Sequence, residues 1–144
     1  MKTEALIDNI SVEHGKWGEK IAAEYLRRCG FEIIDRNSRP CERDKRLEID
    51  LVVWERKTDT MVFVEVKQHA CEDLRYGRLR SVNRHKRENL RKAFDVWRRV
   101  YRWKGAYRFD VVEIYGVPEG GAPIVDHVEN VELFPKSGRF VKWK

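Results

Sequence analysis

The apolar positions of this chain change period several times, and each change marks an element. Trp17, Ile21, Ala22, Tyr25, Leu26 and Cys29 recur at three- and four-residue steps, the spacing of one buried helix face. That pattern predicts a helix over 13–29, with Gly30 as its C-cap. Phe31-Glu32-Ile33-Ile34 alternates as a short strand, and the polar stretch 37–46, which contains Pro40, reads as a loop or a ragged strand entry. Two strongly apolar segments follow, Leu47-Glu48-Ile49-Asp50-Leu51-Val52-Val53 and Met61-Val62-Phe63-Val64-Glu65-Val66-Lys67. The polar run 55–60 joins them as a hairpin. A second helix is predicted over about 81–103, with Leu90, Phe94, Trp97 and Tyr101 as its apolar stripe. Residues 107–115 form a third strong strand, 118–123 a Gly/Pro turn, and 124–134 hold one more strand. The basic tail 136–144 is assigned no element. Helix, strands, helix and strands in this order predict an α/β fold, a mixed sheet covered by helices.

A length of 144 residues fits one domain, with its core at about 14–115 and a C-terminal extension over about 116–144, and is enough to bury a core without disulfide staples. Cys29, Cys41 and Cys71 are odd in number and have no C-x-x-C spacing, so reduced thiols are expected rather than a disulfide framework or a zinc site. His69 and Cys71 lack the two further ligands that a zinc reading needs. No apolar run approaches the roughly 18 residues of a membrane span, and no signal-peptide core follows Met1. A soluble, cytoplasmic protein is expected.

Charge changes the picture inside the strands. Side chains alternate across a strand, so Glu48 and Asp50 share one face of the first segment while Leu47, Ile49 and Leu51 share the other. In the second segment Glu65 and Lys67 lie with Phe63, opposite Val62, Val64 and Val66. A carboxylate in a buried strand is costly unless paired or metal-bound. Two paired strands could set Asp50 beside Glu65, where two anions raise each other's pKa unless a cation intervenes. Mg²⁺ or Mn²⁺ held by one or two carboxylates and a substrate phosphate suits that site, and Lys67 could orient a water or stabilise the transition state of phosphodiester hydrolysis. The same charges, taken alone, also fit a plain ion-pair ladder. Glu19 stands at the edge of the first helix's apolar side, where it could join Asp50 and Glu65 or simply complement the helix dipole.

The chain's net charge is +6, but the charge is uneven. Between Arg75 and Arg108 thirteen basic residues stand against two acidic ones, Glu88 and Asp95. That excess is larger than the whole chain's, as a phosphate-binding surface requires. Arg80, Arg84, Lys86, Arg87 and Arg91 are the candidate nucleic-acid contacts, and no base-reading motif accompanies them.

His14-Gly15-Lys16-Trp17-Gly18-Glu19-Lys20-Ile21-Ala22-Ala23-Glu24-Tyr25-Leu26 resembles the G-x-x-G-E-x-x-A-x-x-Y-L opening of the YraN-like (UPF0102) family. Gly30-Phe31, Arg36-Asn37-Ser38-Arg39, Glu48-Ile49-Asp50-Leu51-Val52, Phe63-Val64-Glu65-Val66-Lys67, Tyr76-Gly77, Val82, Lys86 and Arg108-Phe109-Asp110-Val111-Val112 match its later blocks. The resemblance runs over about 14–115. It implies the PD-(D/E)XK nuclease superfamily, a restriction-endonuclease-like fold and similarity to Holliday-junction resolvases. It implies Asp50 and Glu65 as metal ligands, Lys67 as the catalytic lysine and Glu19 as an auxiliary acid. Gln68 stands where the superfamily often carries a polar residue. Leu47 departs from the family's usual Gly before Glu-Ile-Asp, and the loop 40–46 is longer than usual.

The expected function is therefore metal-dependent cleavage of DNA, structure-selective rather than sequence-specific. The alternatives are a nuclease fold that binds nucleic acid without cutting it, or a subunit that docks through its basic helix. Symmetric cutting of a four-way junction would call for a homodimer.

Overall fold

The two apolar segments pair as an antiparallel hairpin in the computed structural model, which describes residues 2–71 and 84–134. The elements are α1 (Lys2–Arg28), β1 (Phe31–Ser38), β2 (Ile49–Glu55), β3 (Thr60–His69), α2 (Arg84–Val100), β4 (Ala106–Tyr115) and β5 (Ile124–Val128). The strands lie in the order β1-β2-β3-β4-β5. β3 and β4 run parallel and the other neighbours antiparallel. The parallel pair needs a crossover, and α2 lies within it. This is the expected α/β architecture, a mixed sheet flanked by helices in the restriction-endonuclease-like manner.

Each face of the sheet is closed by one helix. Val52, Phe63, Phe109 and Val111 pack with Leu90, Ala93, Phe94 and Trp97 of α2. The Phe63 ring is stacked on Phe94 at 4.5 Å and meets Trp97 edge-on at 5.4 Å. Leu51, Val53, Val62, Val64, Val112 and Ile114 pack with Ala22, Ala23 and Leu26 of α1. Covered on both sides, β2, β3 and β4 carry apolar residues at nearly every position.

Four boundaries differ from the sequence expectation, each for a physical reason. α1 begins at Lys2 rather than at 13; Leu6, Ile10 and Val12 are exposed, so the described apolar side chains ahead of residue 13 form no buried periodic face. β1 runs on to Ser38 through residues expected to be loop. Its backbone pairs Arg36 with Leu51 and Ser38 with Ile49, while its exposed polar side chains suit an edge strand. α2 ends at Val100, and Tyr101 lies beyond it, exposed, so Ala93 rather than Tyr101 completes the buried stripe. Arg102 takes the left-handed conformation (φ 54°), and the Trp103 N–H donates to the Arg98 carbonyl at 2.8 Å. That is a Schellman stop without the usual glycine. β5 is only Ile124–Val128, after which the Val131 N–H ties the chain back to the Phe109 carbonyl at 2.7 Å. The start of α2 expected at 81–83 and the tail 136–144 lie outside the described residues. Among the described residues no helix is long and apolar enough to cross a membrane.

α1 approaches β3 closely at Gly18. A Cβ there would lie 2.9 Å from the Cβ of Gln68, whereas one at Gly15 would meet nothing within 4 Å. Alanine for glycine inside a helix normally stabilises by about 0.5–1 kcal/mol. We therefore expect Gly15→Ala to stabilise the protein by about that amount. Gly18→Ala should instead destabilise it by about 1–3 kcal/mol, the usual range for an overpacked contact. Paired urea titrations decide this; equal effects at the two positions would show that α1 does not seat on β3 through Gly18.

Candidate functional site

The site starts where β2 parts from β3. The ladder between them begins at Leu51 with Val64. One residue earlier the Asp50 side chain takes over, its Oδ2 accepting the Val66 N–H at 2.8 Å. This break changes one expectation. Ile49 and Leu51 were expected to share a face, but Ile49 packs toward α2 and Leu51 toward α1. Strict alternation ends where the strand leaves its neighbour at Asp50.

Glu65 is the other fixed point. It lies on β3, only 4% exposed, on the sheet face that α2 covers. Two ammonium groups converge on its Oε1, Lys86 Nζ at 2.9 Å and Lys67 Nζ at 3.3 Å. Burial, with the neighbouring Glu65 carboxylate adding, pushes Asp50 up to about 8. The cost of the Asp50 charge thus comes first from burial and second from its acidic neighbour.

Glu19, half-buried on α1, belongs to the same electrostatic group. Burial raises its pKa, a hydrogen bond with the Asn37 side chain opposes the rise, and Glu48 and Glu65 add to it. Glu48 lies at the rim, 3.8 Å from Arg39. Gln68 points the other way. Its Nε2 donates to the Gly116 carbonyl at 2.6 Å, and its Cβ packs under Gly18. It therefore lies on the opposite sheet face from Lys67 and ties β3 to α1. The structure brings Glu19, Asp50, Glu65 and Lys67 to one end of the sheet.

The basic helix divides its charges. Lys86, expected on the outer surface, reaches inward to Glu65. Arg84 pairs with Glu88 at 3.1 Å. Arg87 and Arg91 lie 6.0 and 5.7 Å from the Phe134 ring centroid. Arg91, Lys92 and Arg99 are exposed along the outer side. Arg80, with Arg75 and Arg78, lies outside the described residues, as do Tyr76, Gly77 and Val82.

Three residues take positions that the sequence did not suggest. Lys86 stands four residues before Leu90 and seven before Ala93, so extending the apolar stripe back one turn places it toward the sheet. Glu113 and Asp110 are carboxylates in an apolar strand, the same signal that exposed Asp50 and Glu65. Glu113 is fully buried beside Lys67 in the β3–β4 register. It accepts a hydrogen bond from the Tyr115 hydroxyl at 3.2 Å and lies 3.4 Å from His69 Nε2.

Asp110 belongs to a second cluster. Ligand atoms of Asp110, His127 and Glu129 lie within 4.8 Å of one another, close enough to hold a metal ion, and Glu19, Asp50 and Glu65 form no such trio. Protein donors already surround Asp110, however. His127 Nε2 lies at 2.8 Å, the Asn130 N–H at 2.9 Å and Arg108 Nε at 3.0 Å. Burial alone would raise the Asp110 carboxyl, but these donors outweigh it and hold its pKa below the ordinary value. Arg108 also reaches Glu55 and Glu129. The cluster reads as a strut joining β5 to the middle of the sheet.

The family model described as "Uncharacterised protein family UPF0102" matches residues 18–114. A UPF0102 protein of Syntrophomonas wolfei is 37% identical over 120 residues, covering 82% of this chain and 96% of its own. Another from Renibacterium salmoninarum is 34% identical over 122 residues, covering 83% and 96%. One from Herminiimonas arsenicoxydans is 39% identical over 100 residues, covering 69% and 75%. The matched stretch includes Glu19, Asp50, Glu65, Lys67 and Lys86.

The crowded carboxylates make a pH signature. Asp50 goes from 3.8 ordinarily to about 8 in the fold, so between these values the folded protein holds a proton that the unfolded chain has lost. Stability then falls as pH rises through that window. Asp50→Asn keeps an acceptor for the Val66 N–H and removes the charge. In EDTA we expect its gain in Tm over wild type to grow from pH 5 to pH 8. A gain that stays flat or shrinks across thermal melts in that range would contradict the geometry.

Proposed function

The chain belongs to the UPF0102 family, and from the geometry of its acidic site we propose that it is a metal-dependent endonuclease acting on the phosphodiester bonds of DNA. The observation that carries this reading is Glu65, a buried carboxylate gripped by two lysines beside an Asp50 whose pKa is driven up to about 8. Such a site stores a demand for positive charge that a purely structural ion pair has no reason to keep.

The donor set fits a hard divalent cation. Asp50, Glu65 and Glu19 offer carboxylate oxygens, and Mg²⁺ or Mn²⁺ is commonly held by one or two carboxylates with waters and substrate phosphate completing its shell. Asp50 and Glu65 would hold it, with Glu19 in support. Bound there, the ion would supply Lewis-acid polarisation of a phosphoryl oxygen and lower the pKa of a water. Lys67, two residues beyond Glu65 on the same strand face, would neutralise charge developing on the phosphoryl group. Asp50 is anchored by its Oδ2 to the Val66 N–H where the β2–β3 ladder ends, which fixes the carboxylate beside Glu65. The exposed cations of α2, Arg84, Arg91, Lys92 and Arg99, would hold the backbone without reading bases. Branched DNA is the natural substrate for recognition of this kind, and symmetric cleavage of a four-way junction would bring in a second copy of the chain.

The test uses purified protein with duplex, single-stranded and four-way-junction DNA in Mg²⁺, Mn²⁺ or EDTA. We expect metal-dependent nicking that falls by about 10²–10³-fold in Asp50→Ala and in Lys67→Ala, with DNA binding retained by gel shift. Nicking that survives in Lys67→Ala would point to a contaminant and end the assignment. Binding with no cleavage in any metal would favour a non-catalytic nucleic-acid-binding module.

A further inference from the structure

Two lysines meet one oxygen of Glu65, but they arrive by different routes. Lys67 springs from β3 itself, two residues from its partner, and its side chain is only 19% exposed. Lys86 crosses from the first turn of α2, and its side chain is 41% exposed. It makes the shorter contact, 2.9 against 3.3 Å, although it has the freer path to solvent. Burial works against its charge, yet Glu65, with Asp50 and Glu48 adding, holds its pKa above the usual lysine value.

A doubly charged ion entering beside Asp50 and Glu65 would stand close to both ammonium groups, and like charges this close repel strongly. Lys67 is confined by its own strand, so relief falls to Lys86. The neighbourhood that would receive it is also basic. The first turn of α2 contains no acid, and Arg84, His85 and Arg87 surround the lysine in sequence. A cation released there adds to a surface suited to phosphate.

Resting on the nuclease reading above, we propose that Lys86 is a displaceable counter-ion: it neutralises Glu65 while the metal is absent, and metal entry releases it to a backbone phosphate of the bound nucleic acid. The lysine would thereby couple metal occupancy to substrate grip. It acts on the site through Glu65 in one state and contacts substrate in the other.

The proposal is tested with the full chain, wild type and Lys86→Met, in two measurements. Mn²⁺ affinity without DNA, followed by electron paramagnetic resonance of the free ion, should be about three- to fivefold tighter in Lys86→Met, the scale expected for removing one partly exposed competing charge. Binding to a labelled junction should match wild type in EDTA and be several-fold weaker in Ca²⁺. Equal weakening in both buffers would make Lys86 a constant DNA contact and overturn the proposal. Unchanged or weaker Mn²⁺ binding would make it a fixed strut and overturn it too. A readout on wild type removes any concern about folding of the variant: the ¹³Cε resonance of Lys86 should move toward its solvent-exposed position when Mg²⁺ is added, and a resonance that stays put counts against release. If wild type binds no Mn²⁺, or binds it no better than Asp50→Asn, the nuclease reading falls together with this one. If wild type binds Mn²⁺ and Lys86 does not respond, only the counter-ion falls.

Discussion

A carboxylate set into an apolar sheet must be matched by positive charge or give up its own, and much of this molecule is arranged around that requirement at Glu65. β3 is a central strand with a helix on each face, so the Glu65 side chain cannot turn to water. Glu65 therefore takes its compensation from the strand itself, through Lys67, and from across the core, through Lys86. Among the described residues Asp50 receives no such lysine contact, although the Lys86 charge acts on it from farther away. It is steadied by one backbone N–H, and its charge is correspondingly expensive. The mismatch between the two acids sets this end of the sheet apart from the rest.

The Asp110 cluster shows that burial alone does not make such a site. Asp110 is as deeply buried as any acid in the protein, yet its pKa moves down where that of Asp50 moves up. The difference is the supply of donors. Arg108, His127 and the Asn130 N–H fill the oxygens of Asp110, leaving a satisfied brace. The ligand atoms of the brace lie closer together, while the electrostatic strain lies at Asp50. Charge balance, more than proximity, separates a strut from a site.

Much of this was legible in the residues. The three central strands, the core of each helix and the grouping of Asp50, Glu65, Lys67 and Glu19 follow from periodicity and from charges standing where a strand should be apolar. What escaped has identifiable causes. In the early turns of α1 the apolar Leu6, Ile10 and Val12 are exposed, so they give no burial periodicity. β1 is an edge strand whose polar side chains face water, and its pairing is a backbone matter. α2 stops at Arg102 through a left-handed arginine, where a sequence reader looks for glycine. Lys86 was counted with the surface cations because its residue type outweighed its helical phase. The split between Ile49 and Leu51 could not be foreseen, since it arises where Asp50 replaces a ladder bond with a side-chain bond.

The contact between Gly18 and Gln68 has a consequence for how this family can vary. β3 carries Lys67 on one face and Gln68 on the other, so the strand that presents Lys67 to Glu65 also seats α1. Glu19 follows Gly18 directly and inherits its height along the strand from that seat. A side chain at position 18 would meet first the Cβ of Gln68, an atom that every residue except glycine carries. Shortening the residue at 68 does not relieve that contact, so position 18 should stay glycine among relatives that vary at 68, even though it does not face the acidic site.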